Sequence, residues 1–245
     1  MKKYLESAQR VNSQGLSEDT CLVLDLSPSM EADDYKPSRL QGAIHAASAL
    51  LDVKRDRFPL DRVAVIGFSK TAEVLHPLVE VGDGFDSLCW SLERLETGPY
   101  TNIGAGLQKA GKLLSAGVSD PIGKLAAWAS AFFTQEEKQG SGNAEPNRKP
   151  RCVLLSDGDH NRGPEPVPVA RQLKDAGIVI DVIGIGSRSD VDSFNESQLM
   201  QVASQNPDGT ARYYFIEDTE DLIRTFQTLA GHIRPLGDLA ARGPS

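Results

Sequence analysis

The residues whose types and spacing could do chemistry lie in the stretch CLVLDLSPSM, residues 21–30. Its apolar run, Cys21-Leu22-Val23-Leu24, reads as a buried strand. The run ends in three oxygen-bearing side chains at alternate positions, Asp25, Ser27 and Ser29. Alternate residues of an extended segment point the same way, so one carboxylate and two hydroxyls can converge where strand gives way to loop. An all-oxygen cluster suits a hard cation such as Mg2+, which takes octahedral oxygen ligands and keeps several waters. Strand-to-loop junctions are also rich in Asp and Ser for turn-forming reasons alone, so the motif needs support from elsewhere in the chain.

Two other segments supply it. Asp157 follows the apolar run Cys152-Val153-Leu154-Leu155, and Thr101 sits in the loop Gly98-Pro99-Tyr100-Thr101-Asn102 just before a helical stretch. The elements around them alternate. Apolar spacing predicts helices over 39–54, 85–95, 103–114, 167–176, 196–204 and 219–233, with Gly177 closing the fourth. Short apolar runs predict strands at 63–68, 178–185 and 213–216, and an antiparallel edge strand over 71–78 ended by Pro77. Gly104 and Gly106 would let a neighbouring backbone approach the third helix.

This alternation describes an α/β fold, Rossmann-like and doubly wound. Its central sheet is mostly parallel with one antiparallel edge strand, and helices lie on both faces. Ligands of such folds gather at the C-terminal ends of the strands. Asp25, Ser27, Ser29, Thr101 and Asp157 all fall on that rim.

Composition narrows the function classes. A net charge of −8 over 245 residues argues against a nucleic-acid footprint, which needs a basic patch. The three cysteines, Cys21, Cys89 and Cys152, are odd in number and form no CxxC pair, so zinc is not expected; Cys21 and Cys152 read as small core residues in a reducing compartment. The N-terminal Lys pair has no apolar run behind it, and no stretch has the eighteen or so apolar residues of a membrane span. The expectation is a soluble cytoplasmic protein, monomeric alone. Its organisation reads as an N-terminal arm (1–19), one domain (20–233) and a flexible tail (234–245). The domain carries a helical and loop elaboration over 117–150, where Trp128, Phe132 and Phe133 mark an apolar side.

Taken together, Asp25-Leu26-Ser27-Pro28-Ser29, Thr101 before its helix and Asp157 in Leu154-Leu155-Ser156-Asp157-Gly158 resemble a von Willebrand factor type A domain with a metal-ion-dependent adhesion site, of the bacterial intracellular type. Asp61-Arg62-Val63-Ala64-Val65-Ile66-Gly67-Phe68 and the run from Gly177 to Gly186 fit as secondary hallmarks. The resemblance implies a divalent metal, Mg2+ in the cytoplasm, with Mn2+ or Ca2+ as alternatives. It implies that Ser27 and Ser29 bind it directly, Thr101 directly or through water, and Asp25 and Asp157 mostly through water. A partner protein's Asp or Glu then completes the shell. Pro28 stands where many members have Gly, and is expected to leave both serines in place.

The function implied is a non-catalytic, metal-dependent protein-interaction module. It would be a subunit or adaptor of a multi-component intracellular system, beside an AAA+ ATPase of the MoxR type or in a stress or defence complex. Two alternatives stand against it. One is a metal-dependent phosphohydrolase, which lacks a second Asp after Asp25 and a completing lysine; the other is a structural subunit with a vestigial metal site. No Gly-x-Gly-x-x-Gly or Gly-x-Ser-x-Gly motif is present. His160, Asp33, Asp34, His45 and His76 read as loop or surface residues, Asp159 as a water-orienting neighbour, and Asp181 as structural.

Overall fold

The computed structural model describes residues 17–115, 148–157, 160–186 and 195–231. The arm up to residue 16, most of the 117–150 elaboration, Asp159 and the tail lie outside the described residues. The described chain runs β1 (Ser17–Asp25), α1 (Arg39–Arg57), β2 (Arg62–Phe68), β3 (Ala72–Glu80), α2 (Val81–Glu93), α3 (Ile103–Ser115), β4 (Arg148–Ser156), α4 (Pro166–Asp175), β5 (Val179–Ile185), α5 (Glu196–Val202), β6 (Tyr213–Ile216) and α6 (Thr219–Leu229). A short 3-10 turn, Pro28–Glu31, follows β1.

The sheet order is β3-β2-β1-β4-β5-β6. Every pair is parallel except β2–β3. β1 is therefore central, buried along all nine residues, and its alternate side chains feed two cores. Leu22 and Leu24 pack with residues of α1, α2 and α6; Cys21 and Val23 pack with residues of α3, α4 and α5. Cys21 and Cys152 face one another in register on β1 and β4, and burial raises both thiols above their ordinary range. The expected doubly wound sheet is the observed one. Among the described residues no helix is long and apolar enough to cross a membrane.

Three boundaries differ from expectation for identifiable reasons. β1 starts at Ser17 rather than Cys21, so residues 17–19, read with the arm, are strand. Glu18 and Asp19 look solvent-facing in sequence, but each meets a cation. Lys54 Nζ lies 3.3 Å from Glu18 and 2.7 Å from Asp61, while Arg62 pairs with Asp19 at 2.6 Å. Second, β3 runs through Pro77 to Glu80. It is the edge strand, with register irregularities against β2 around position 77, and an edge tolerates a residue without N–H. Third, β4 begins at Arg148 and includes Pro150, which lies before the first residue paired with β5, Arg151.

The ion pairs at the N-terminal end of the sheet continue across it. Arg151 is 2% exposed, pairs with Asp181 at 2.7 Å and donates to the carbonyls of Leu229 and Gly231 at the end of α6. Asp181 also binds Arg212 at 2.8 Å, so its structural reading agrees with its surroundings. Removing one partner of a buried pair strands the other's charge. Lys54→Met is therefore expected to lower stability by about 3–5 kcal/mol, read as a large fall in urea midpoint at unchanged slope; a loss under about 1 kcal/mol would show that Lys54 does not hold Glu18 and Asp61 in place.

Candidate metal site

The chain leaves β1 toward β2 and β3 on one side, while β4 leads to β5 and β6 on the other. The switch point of the sheet lies between β1 and β4, where an open α/β sheet forms its crevice. Asp25 and Asp157 are the residues at that point, each at or just past the end of its strand.

Local geometry then turns the serines inward. Ser27 N–H donates to Asp25 Oδ1 at 2.8 Å, bending the chain as it leaves β1. Pro28 opens the 3-10 turn, where its fixed φ suits the first position and its missing N–H costs nothing. Met30 N–H then bonds the Ser27 carbonyl at 3.1 Å. The result places Ser27 Oγ and Ser29 Oγ 3.0 Å apart. Both donate to Asp157 Oδ1, at 3.3 and 2.8 Å. Three oxygens from two segments thus meet, with Ser27 buried and Ser29 exposed at the mouth.

The carboxylates behind them are not equivalent. Asp25 is fully buried and accepts from Ser156 Oγ at 2.5 Å as well as from Ser27 N–H. Burial and the charge of Asp157 nevertheless push its carboxyl up to about 7. Asp157 turns its other oxygen, Oδ2, to Arg39, whose Nη1 donates at 2.8 Å. The same guanidinium grips Asp34 through Nε at 2.9 Å and Nη2 at 2.6 Å, and these bonds hold Asp34 below the usual carboxylate range. Sequence reasoning missed Arg39 and read Asp34 as a solvated loop acid. One signal was available. Arg39 opens α1, where the helix dipole disfavours a cation, so another partner must hold it there.

Thr101 reaches the same rim by a different route. The loop after Asp157 lies on the N-terminus of α3: a Cβ on Gly104 would sit 1.8 Å from the Pro164 carbonyl oxygen. Asn161, also missed, donates its N–H to the Thr101 carbonyl at 3.1 Å and accepts the Thr101 N–H on its side chain at 3.0 Å. Thr101 is 4% exposed, yet its hydroxyl bonds none of the other four site residues. The structure thus joins Asp25, Ser27, Ser29 and Asp157 by hydrogen bonds and pins the Thr101 loop to Asn161, in the segment that follows Asp157. His160, expected exposed, is partly buried, and that burial lowers its imidazole pKa. Asp33 pairs weakly with Lys36 at the surface, His45 is exposed, and His76 bonds Ser87 at 2.9 Å on the far edge.

Among the described residues no group of three or more His, Cys, Asp or Glu side chains could hold a metal. A cation here would rest on hydroxyl and carboxylate oxygens, a donor set that favours hard divalent ions over zinc. The donors fit such an ion. The buried carboxyl of Asp25 also sets a sign. Its folded pKa lies above the unfolded value, so the native state holds the proton more tightly. The metal-free protein then loses stability through this group as pH rises from about 4 to about 7. In EDTA, Asp25→Asn should melt close to wild type at pH 5 and above it at pH 8; a gap independent of pH contradicts this electrostatic account.

A family model described as the von Willebrand factor type A domain matches residues 20–160, more than half of the chain. No curated protein matches. Among solved structures, proximal thread matrix protein 1 from the mussel byssus is 19% identical with a TM-score of 0.60; the match covers 88% of this chain and 47% of that one. A second structure of it, with a zinc-occupied MIDAS motif, gives the same figures. The conserved hypothetical protein BatB from Bacteroides thetaiotaomicron is 20% identical with a TM-score of 0.60, covering 86% of this chain and 96% of that one. This chain therefore spans about half of the byssus protein and nearly all of BatB. Identities this low speak to the fold alone.

Proposed function

The chain belongs to the von Willebrand factor type A domain family, and on that premise we propose that it is a non-catalytic protein-interaction module working through a divalent metal, Mg2+ by donor hardness. Asp25, Ser27, Ser29, Thr101 and Asp157 hold the metal, and a partner's Asp or Glu carboxylate binds it. The observation that carries this reading is the meeting of Ser27 Oγ, Ser29 Oγ and Asp157 Oδ1 at a mouth that Ser29 leaves open to solvent.

Charge explains why such a site takes an anion. Asp25 and Asp157 set two carboxyls at the site, and the Arg39 guanidinium is shared between Asp157 and Asp34. The oxygens nearest the mouth are neutral hydroxyls, so a dication there keeps an open position whose charge attracts a carboxylate more strongly in a partly dry site than in water. Ser27 and Ser29 supply neutral oxygens that orient this charge toward the mouth. Arg39 holds Asp157 so that a single oxygen faces the cluster. The hydroxyls face a carboxylate rather than an imidazole or amine that would activate them, which favours binding over nucleophilic chemistry. The same reading makes the chain an intracellular adaptor or subunit, with a MoxR-type AAA+ ATPase as the first partner to try.

Calorimetric titration with Mg2+, Mn2+ and Ca2+ tests the site. Wild type should bind, and the double variant Ser27→Ala, Ser29→Ala should bind at least about 10-fold more weakly while melting cooperatively in EDTA. Equal affinity in the variant, or no binding of any of the three ions to wild type, overturns the proposal.

A further inference from the structure

The rim beside the metal site carries an aromatic–cation pair that metal binding does not use. Tyr100 directly precedes Thr101 and is 46% exposed. Among the described residues it is the one non-glycine residue at positive φ, 68°. Glycine is the relaxed choice there, and a bulky residue in that region is strained unless its surroundings hold it. The surroundings do hold it: the next residue is fixed at both N–H and carbonyl by Asn161. The Arg162 guanidinium, one residue further on, lies 4.7 Å from the Tyr100 ring centroid. Arg162 is exposed, and among the described residues it forms no ion pair. Lys70 adds a second exposed cation on the adjoining turn, whose carbonyl accepts from Asn102 Nδ2 at 3.1 Å.

In a chain of net charge −8 this side of the rim is locally basic. The turn that follows Ser29 is the reverse, carrying Glu31, Asp33 and Asp34. A guanidinium laid on an aromatic face is pre-organised, presents a planar fork of donors and loses little freedom on binding a carboxylate.

We propose that Tyr100 and Arg162 form a second reading point for the partner, which is an acidic segment giving one carboxylate to the metal site and a neighbouring one to Arg162. The inference rests on the carboxylate-binding function proposed above. It makes the partner's signature a pair of nearby acidic residues rather than a single one. Tyr100 acts through Arg162, as a platform that holds the guanidinium in place.

Two peptides that differ at one residue test it: Gly-Ser-Glu-Gly-Ser-Gly and Gly-Ser-Glu-Gly-Glu-Gly, titrated against the full chain in saturating Mg2+ and followed by NMR shifts. The doubly acidic peptide should bind about 5-fold more tightly. That ratio should fall to near unity in Arg162→Gln and shrink in Tyr100→Gly, with Mg2+ affinity measured on each variant as the check of site integrity. Equal binding of the two peptides to wild type overturns the inference, and so does a ratio that survives Arg162→Gln. If neither peptide binds in Mg2+, or both bind equally in EDTA, the metal-dependent reading itself fails and this inference fails with it.

Discussion

Two carboxyls, Asp25 and Asp157, are held at the C-terminal ends of the central strands β1 and β4, and the burial of Asp25 beside the Asp157 charge is the constraint around which the rest of the rim is arranged. Burial and the neighbouring charge push the Asp25 carboxyl up to about 7, even though it accepts bonds from Ser27 N–H and Ser156 Oγ. Arg39 relieves part of the strain by binding Asp157 Oδ2, leaving Oδ1 for the serine hydroxyls. What remains is a partly compensated negative site facing a solvent-open mouth. A hard dication suits that site, and its open position toward the mouth suits an acidic partner.

The two ends of the sheet show opposite electrostatic strategies. At the N-terminal end, Glu18, Asp19, Asp61 and Asp181 each meet a lysine or arginine within 3.5 Å, and Arg151 ties this cluster to the last carbonyls of α6. At that end the acids are paired within the chain. At the C-terminal end one guanidinium, Arg39, is shared by Asp157 and Asp34, while Asp25 accepts from neutral donors. The switch point between β1 and β4 thus holds a buried carboxyl that accepts from neutral donors, and it is where the proposed metal would sit.

Much of this was legible in the sequence, and the exceptions are instructive. The apolar run before Asp25 specified the central strand, but Ser27 and Ser29 meet through the 3-10 turn Pro28–Glu31 and not through the extended geometry their alternation suggested. Asp157, like Asp25, was legible as a residue at the end of a buried strand. Thr101 could be placed on the rim, but the Asn161 contacts that pin it join loops 60 residues apart and leave no local pattern. Arg39 was harder still. Its partner Asp157 is 118 residues away, and the only clue was a cation at the unfavourable end of a helix. Charged residues such as Glu18 and Asp19 looked like solvated arm, since their burial depends on Lys54 and Arg62 arriving from elsewhere.

The most direct test of the central claim is a crystal of the chain grown with Mn2+ and examined by anomalous scattering at the manganese edge. The account predicts one strong peak at the end of β1, with Ser27 Oγ and Ser29 Oγ as direct ligands, a carboxylate oxygen of Asp157 in or next to the coordination shell, and Arg39 still on Oδ2. A peak seated elsewhere, such as on Asp33 and Asp34, or a fully loaded crystal without density between the serines, would contradict it.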